Sequence, residues 1–191
     1  MHKFNPRGYG PVVAAMLEGA KLNELGPGSA EASLRPALAD LTPQSVVAPN
    51  KPVDKAMAAA CLAALWLRHD FLDESHRISQ NIENPSGSYW HGIMHRREGD
   101  FENAKYWLRR VGEHAIFDPL RASARELVQK AKARTEADCL LTANRWDPIR
   151  FVDLCRAAVA TSSPLATLCK KIQEVEWELL FDHCYQQASG K

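Results

Sequence analysis

Three dipeptides do most to fix what this chain can become: Asp118-Pro119, Asp147-Pro148 and Ser163-Pro164. Each sets an oxygen-bearing capping side chain directly before a residue whose fixed φ and missing N–H suit the first turn of a helix. The apolar residues that follow recur at helical spacing: Leu120, Ala124, Leu127, Val128 and Ala131 in one segment, Leu165, Leu168, Ile172, Val175 and Leu179 in another. Val, Ile and Thr are sparse, and strict apolar/polar alternation nowhere lasts long enough for a strand. The expected fold class is all-α with roughly seven to nine helices. The last of them should run from Pro164 to Gln187. A shorter helix is expected from Thr135 and Asp138, which form a capping box with Asp in place of Glu.

Residues 1–52 read as an arm and residues 53–191 as the helical domain, the whole forming one domain. Seven of the 11 prolines fall within the first 53 residues, so this arm is punctuated. Short helices are expected near Val12 to Leu25 and Glu31 to Asp40, then an extended stretch from Thr42 to Pro52 lying on the main body.

Lys and Arg number 24 against 23 Asp and Glu, for a net charge of +1. No overall field draws the chain to nucleic acid or to an anionic membrane. The longest apolar run, Ala56 to Leu67, falls short of the ~20 residues a membrane span needs, and no convincing cleavage site follows the apolar Pro11 to Leu17. Cys61, Cys139, Cys155, Cys169 and Cys184 are odd in number and contain no C-x-x-C pair. They are expected to be buried thiols in a reducing, cytoplasmic setting.

The middle of the chain repeats weakly. Asp70-Phe71-Leu72-Asp73-Glu74-Ser75 and Gly99-Asp100-Phe101-Glu102-Asn103-Ala104 lie 29 residues apart, each between two helical segments. Gly92 and the run Gly99-Asp100-Phe101-Glu102-Asn103-Ala104-Lys105-Tyr106-Trp107, ending at Asp118-Pro119, resemble a tetratricopeptide repeat, with Ala63 as the small residue of the preceding hairpin. The resemblance covers residues 58–119. It implies stacked helical hairpins with a concave binding face, and hence an interaction role. The spacing to Asp118-Pro119 is longer than in that family, and its large apolar knobs are replaced by His91 and His95.

That replacement is chemically informative. Leu62 and Trp66 of the first hairpin correspond to His91 and His95 of the second, so two ionisable rings one turn apart occupy positions where packing wants carbon. An imidazole buried without partners costs ~1–3 kcal/mol per unsatisfied group, so specific partners are expected. Stacked hairpins would bring in the preceding helix, which carries Asp73 and His76. Asp73, His76, His91 and His95 then form a candidate site for a divalent transition metal such as zinc, with Glu98 or His76 in an acid/base role. His114 and His183 are isolated in the sequence and are expected to be surface or internally satisfied residues.

A second grouping, Tyr89, Trp90, Arg96, Arg97, Lys105 and Arg109, interleaves aromatics with cations as single-stranded nucleic acid or a phosphorylated ligand would require, the balanced net charge weighing against nucleic acid. Ser86 or Ser88 is expected to cap the helix that begins this grouping. Three functional readings follow: a ligand- or protein-interaction module with a buried polar His/Asp pocket, a metal-dependent hydrolase-like enzyme, and a metal-free enzyme using a histidine as acid or base. The substrate or partner and the oligomeric state are not written in the sequence.

Overall fold

The computed structural model describes residues 4–132, 135–142, 144–161 and 163–190. All regular structure among them is helical. After a 3-10 turn at Pro6–Tyr9 come α1 (Pro11–Leu17), α2 (Arg35–Ala39), α3 (Pro43–Val46), α4 (Lys55–Arg68), α5 (Leu72–Ser79) and α6 (Pro85–Glu98). They are followed by α7 (Phe101–Val111), α8 (Phe117–Lys130), α9 (Asp138–Thr142), α10 (Pro148–Ala158) and α11 (Pro164–Ser189). Helices α4 and α5 form one antiparallel hairpin and α6 and α7 the next, with α5 lying against α6. The long α11 crosses behind them, against α4, α8 and α10.

Local chemistry explains most of the boundaries. Asp147 accepts from the N–H groups of Ile149 and Arg150 at 2.9 and 3.2 Å, and Ser163 accepts from Ala166 at 3.2 Å, so both caps work as their sequences imply. Asn84 does the same for α6, accepting from the Gly87 N–H at 2.8 Å ahead of Pro85. It displaces Ser86 and Ser88, both buried, from the capping role. At Asp118-Pro119 the helix starts earlier than the dipeptide implies, at Phe117, because Ile116 and Phe117 are drawn into the core and leave Asp118 within the first turn. α9 begins at Asp138 itself, and the Thr135 carbonyl accepts from the Asp138 N–H at 3.4 Å.

The two hairpins turn in register. α5 begins at Leu72 and α7 at Phe101, 29 residues apart, and each is preceded by a residue in the left-handed region, Asp70 at φ 64° and Gly99 at φ 93°. Asp is one of the few non-glycine residues that tolerate this conformation. Four residues after Gly99 and five after Asp70, respectively, sit Asn103 and Ser75; Ser75 and its counterpart Ala104 are both wholly buried. A Cβ at Gly92 would lie 2.6 Å from Leu108 Cγ, which is why α6 and α7 can approach so closely.

The N-terminal segment is less helical than its sequence implies. α1 stops at Leu17, where Gly19 takes φ 70° and the Met16 carbonyl accepts from His69 Nε2 at 2.7 Å. The Glu31 to Asp40 region divides into a 3-10 turn and α2, and within Thr42 to Pro52 the single turn α3 is held by a Thr42/Ser45 capping box. Tyr9, Val13, Leu17, Leu25 and Leu38 nevertheless belong to the main core. Tyr185 donates its hydroxyl to the Tyr9 carbonyl at 2.5 Å, and Trp177 donates Nε1–H to the Ala64 carbonyl at 3.1 Å.

Candidate metal centre

Helix α6 is buried from Ser86 through Arg97 without interruption. A helix wrapped on all sides has no solvent face on which to place its polar residues, so each must find a partner inside the protein. His91 and His95, spaced one turn apart, point together toward His76 on α5. The ring centroids of His76 lie 4.7 Å from His91 and 5.2 Å from His95, and those of His91 and His95 are 4.6 Å apart. One potential ligand atom from each of the three histidines falls within 4.8 Å of the others.

The protonation pattern follows from the partners. His95 Nδ1 lies 3.3 Å from Glu98 Oε1, so Nδ1 carries the proton and donates it, leaving a lone pair on Nε2. With no ion bound His91 Nε2–H donates to that lone pair at 3.0 Å, and to serve as a ligand through Nε2 the ring must shift this proton to Nδ1; the Asn103 Nδ2 amide approaches the same His95 atom at 3.1 Å. Two donors therefore compete for one lone pair. The remaining nitrogen of His91, Nδ1, is buried with no hydrogen-bond partner among the described residues. The His91 ring stacks on Trp107, with centroids 4.1 Å apart and planes 29° from parallel.

Burial favours the neutral form of the His91 and His95 rings. Burial, reinforced by the neighbouring His95 and His76, pushes His91 down from 6.5 to about 3. His95 is also lowered, chiefly by burial, with Glu98 opposing the shift. Neutral imidazole is the ligand form. Two imidazole nitrogens on one tetrahedral zinc sit about 3.3 Å apart given Zn–N bonds of ~2.0–2.1 Å, close to the 3.0 Å between the Nε2 atoms of His91 and His95. Glu98, with its side chain 42% exposed, takes the outer position, orienting His95 through Nδ1–H.

Asp73 does not join the centre. It is exposed in the first turn of α5, where water and the helix N-terminus favour a carboxylate, and it belongs to neither group of clustered ligand atoms among the described residues. The sequence reading also missed Asn103. Its one sign is symmetry about the hairpin turn: His95 precedes Gly99 by four residues and Asn103 follows it by four.

Most of the interleaved aromatic and basic residues are drawn inside the protein and paired there. Tyr89 and Trp90 are wholly buried. Arg96, also wholly buried, donates to Glu176 Oε2 at 2.5 Å, to Gln173 at 3.4 Å, and lies over the Phe151 ring at 4.8 Å. Tyr89 donates its hydroxyl to Glu176 Oε1 at 3.0 Å. Arg97 donates to Asp70 at 2.6 Å and to the Gly26 carbonyl at 2.8 Å, tying the N-terminal segment to the hairpin turn. Lys105 pairs with Asp153 at 2.6 Å, and Arg109 is exposed. None of these partners is near in sequence. His114 and His183, isolated along the chain, meet with centroids 4.8 Å apart, and His114 Nε2 lies 3.1 Å from Ser86 Oγ. The His114 Nδ1 atom accepts from the Ile116 N–H at 3.4 Å, so Nε2 carries the proton and cannot take one from Ser86.

Beside the histidines lies a cleft of about 660 Å³ whose wall includes Gln80, Asn84, Ser88, Trp107 and Arg110. Trp107 is shared, one part of it lining the cleft and its ring covering His91. All five cysteines are free thiols, four of them buried, and among the described residues no helix is long and apolar enough to cross a membrane. Comparison with protein-family models, curated proteins and solved structures gives no match to this chain.

Proposed function

We propose that this protein is a helical binding module built around a transition-metal centre, with His76, His91 and His95 as ligands and zinc as the ion of first choice. The observation that carries this reading is the convergence of three ring nitrogens within 4.8 Å in a largely buried site. The His95 tautomer is already set by Glu98 to offer Nε2, as an outer carboxylate does for a metal-bound histidine. Neutral imidazoles also fit a ligand set better than a metal-free acid or base working near pH 7. Imidazole donors equally suit copper, iron and nickel, so availability contributes to the choice.

On this reading Glu98 is a positioning residue. The ion would supply Lewis-acid chemistry, and the neighbouring cleft gives a substrate a place to approach, which favours a hydrolase-like role as the second reading. The tetratricopeptide-like pairing of α4/α5 with α6/α7 is proposed as the scaffold, supported by the 29-residue register and by the close α6/α7 crossing at Gly92. Five free thiols support a reducing, cytoplasmic location.

The test is calorimetric titration of chelator-treated protein with Zn²⁺. Saturable binding of a single ion per chain, abolished in the His91→Ala/His95→Ala double variant and retained in His69→Ala, is the expected result. Binding that is absent, or unchanged in the double variant, overturns the assignment.

A further inference from the structure

We infer that the metal centre leaves one coordination position open for a small anion, a carboxylate or a similar monoanionic group, and that the Asn103 side-chain amide is its hydrogen-bond donor. This rests on the metal reading above.

Charge comes first. Coordinated imidazoles are neutral, so three of them leave a divalent cation with its full charge, while His91 and His95 are only 2% and 5% exposed. A cation stripped of water in such a place needs a counter-charge nearby. No carboxylate belongs to the three-histidine group among the described residues. Two acidic groups, Glu98 and Asp100, cluster with His95 apart from the other two histidines; Glu98 is engaged by the Nδ1–H, and both are exposed. They soften the deficit but do not occupy the position. On the other side, Arg110 lies 5.3 Å over the Trp107 ring at the edge of the cleft, adding positive potential along the approach.

Hydrogen bonding makes the same demand. Asn103 Nδ2 has His95 Nε2 as its nearer acceptor at 3.1 Å, with Nδ1 at 3.5 Å. An ion bound at Nε2 consumes that lone pair, and Nδ1 already carries a proton directed at Glu98. The amide N–H then stands beside the metal position with no acceptor. An oxygen or nitrogen atom of an anion at the open position accepts from it, so one ligand answers both the charge and the orphaned donor.

Cobalt(II) is the probe, because its visible bands report both coordination and exogenous ligands. Cobalt-loaded protein is titrated with acetate and with azide, alongside Asn103→Leu and Asn103→Ala. The expected result is a saturable spectral change on anion addition, with affinity about tenfold or more weaker in both variants, as loss of a hydrogen bond to a charged group implies, while both variants still form the cobalt bands. If cobalt gives no ligand-field bands in the unaltered protein, the metal reading itself fails. If the bands form but neither anion alters them at any concentration, the open anion position is refuted. Equal anion affinity in the unaltered protein and both variants refutes the role of Asn103.

Discussion

Replacing Glu176 by Leu tests the reasoning most severely, because the Arg96–Glu176 pair is where the physical stakes of this fold are highest. Both side chains are wholly buried. Arg96 depends on the Glu176 carboxylate for its charge, has Gln173 only at 3.4 Å, and already leaves Nε without a hydrogen-bond partner among the described residues. Burial alone would lower the Arg96 pKa, but Glu176 more than reverses this and keeps the guanidinium charged. Glu176→Leu therefore strands a cation in the core and orphans the Tyr89 hydroxyl. Removing one partner of a buried pair costs about 3–5 kcal/mol, a large share of a total stability of ~5–15 kcal/mol. At roughly 2–4 °C per kcal/mol for a chain of this length, the melting temperature should drop by ~6–20 °C. An apolar replacement of the whole group, Glu176→Leu with Arg96→Met and Tyr89→Phe, should recover most of that loss, because well-packed hydrophobes often match or exceed a buried ion pair. Thermal unfolding followed by circular dichroism, with urea titration as a check, measures both. A single-variant loss under about 1 kcal/mol, or a triple variant no more stable than the single, would refute the stranded-charge argument.

Further outcomes follow from other contacts. Gly92→Ala should destabilise by up to about 2 kcal/mol in urea unfolding: overpacking against Leu108 costs ~1–3 kcal/mol and the helix-propensity gain of ~1 kcal/mol offsets part of it. A stabilised variant would show that α6 and α7 are not in close contact there. His91→Leu should leave the fold within about 1 kcal/mol of the original, since it removes a buried nitrogen without a partner but also the Trp107 stacking, while zinc binding disappears. Retained binding would remove His91 from the ligand set. Acid should weaken the fold in a defined direction. His91 and His114 are lowered from 6.5 to about 3 and about 4, chiefly by burial, so below pH 6.5 the unfolded chain takes up protons that the native state refuses. Stability then falls as pH drops through that window. Glu178, raised by burial from 4.5 to about 7, works the other way between those values but is one group against two. Urea midpoints that stay level or rise from pH 6.5 to 4.5 would contradict this, and Glu178→Gln should steepen the fall.

What could be read from the residues was local. A cap and the proline after it act within one turn, so Asp147-Pro148 and Ser163-Pro164 announce their helices, and the spacing of His91 and His95 already places both rings on one face. His76 came within reach because the resemblance to stacked helical hairpins implied which helix lies alongside. Local reasoning failed where the core intervened: burial of Ile116 and Phe117 moved the start of α8 ahead of Asp118-Pro119. Long-range partners were invisible. Arg96 and Arg97 have the composition of a solvated basic face, yet their carboxylates are 80 and 27 positions away, on α11 and at the first hairpin turn. His114 and His183 are likewise separated by 69 positions and meet only through folding. Asp73 erred in the opposite sense: adjacency to His76 on one helix did not outweigh the preference of a carboxylate for water.

Asp70 joins three distant stretches of chain. Its carboxylate accepts from Asn23 Nδ2, the Ser29 N–H and Arg97, while its own backbone makes the left-handed bend between α4 and α5. A Cβ on Gly28 would run into that same carboxylate. The bend of the first hairpin and the path of residues 23–29 are thus a single mechanical joint, linked through Arg97 to the C-terminal turn of the helix that carries His91 and His95. Trimming the leading residues would therefore loosen the helix bearing the two imidazoles, at a distance from the cut.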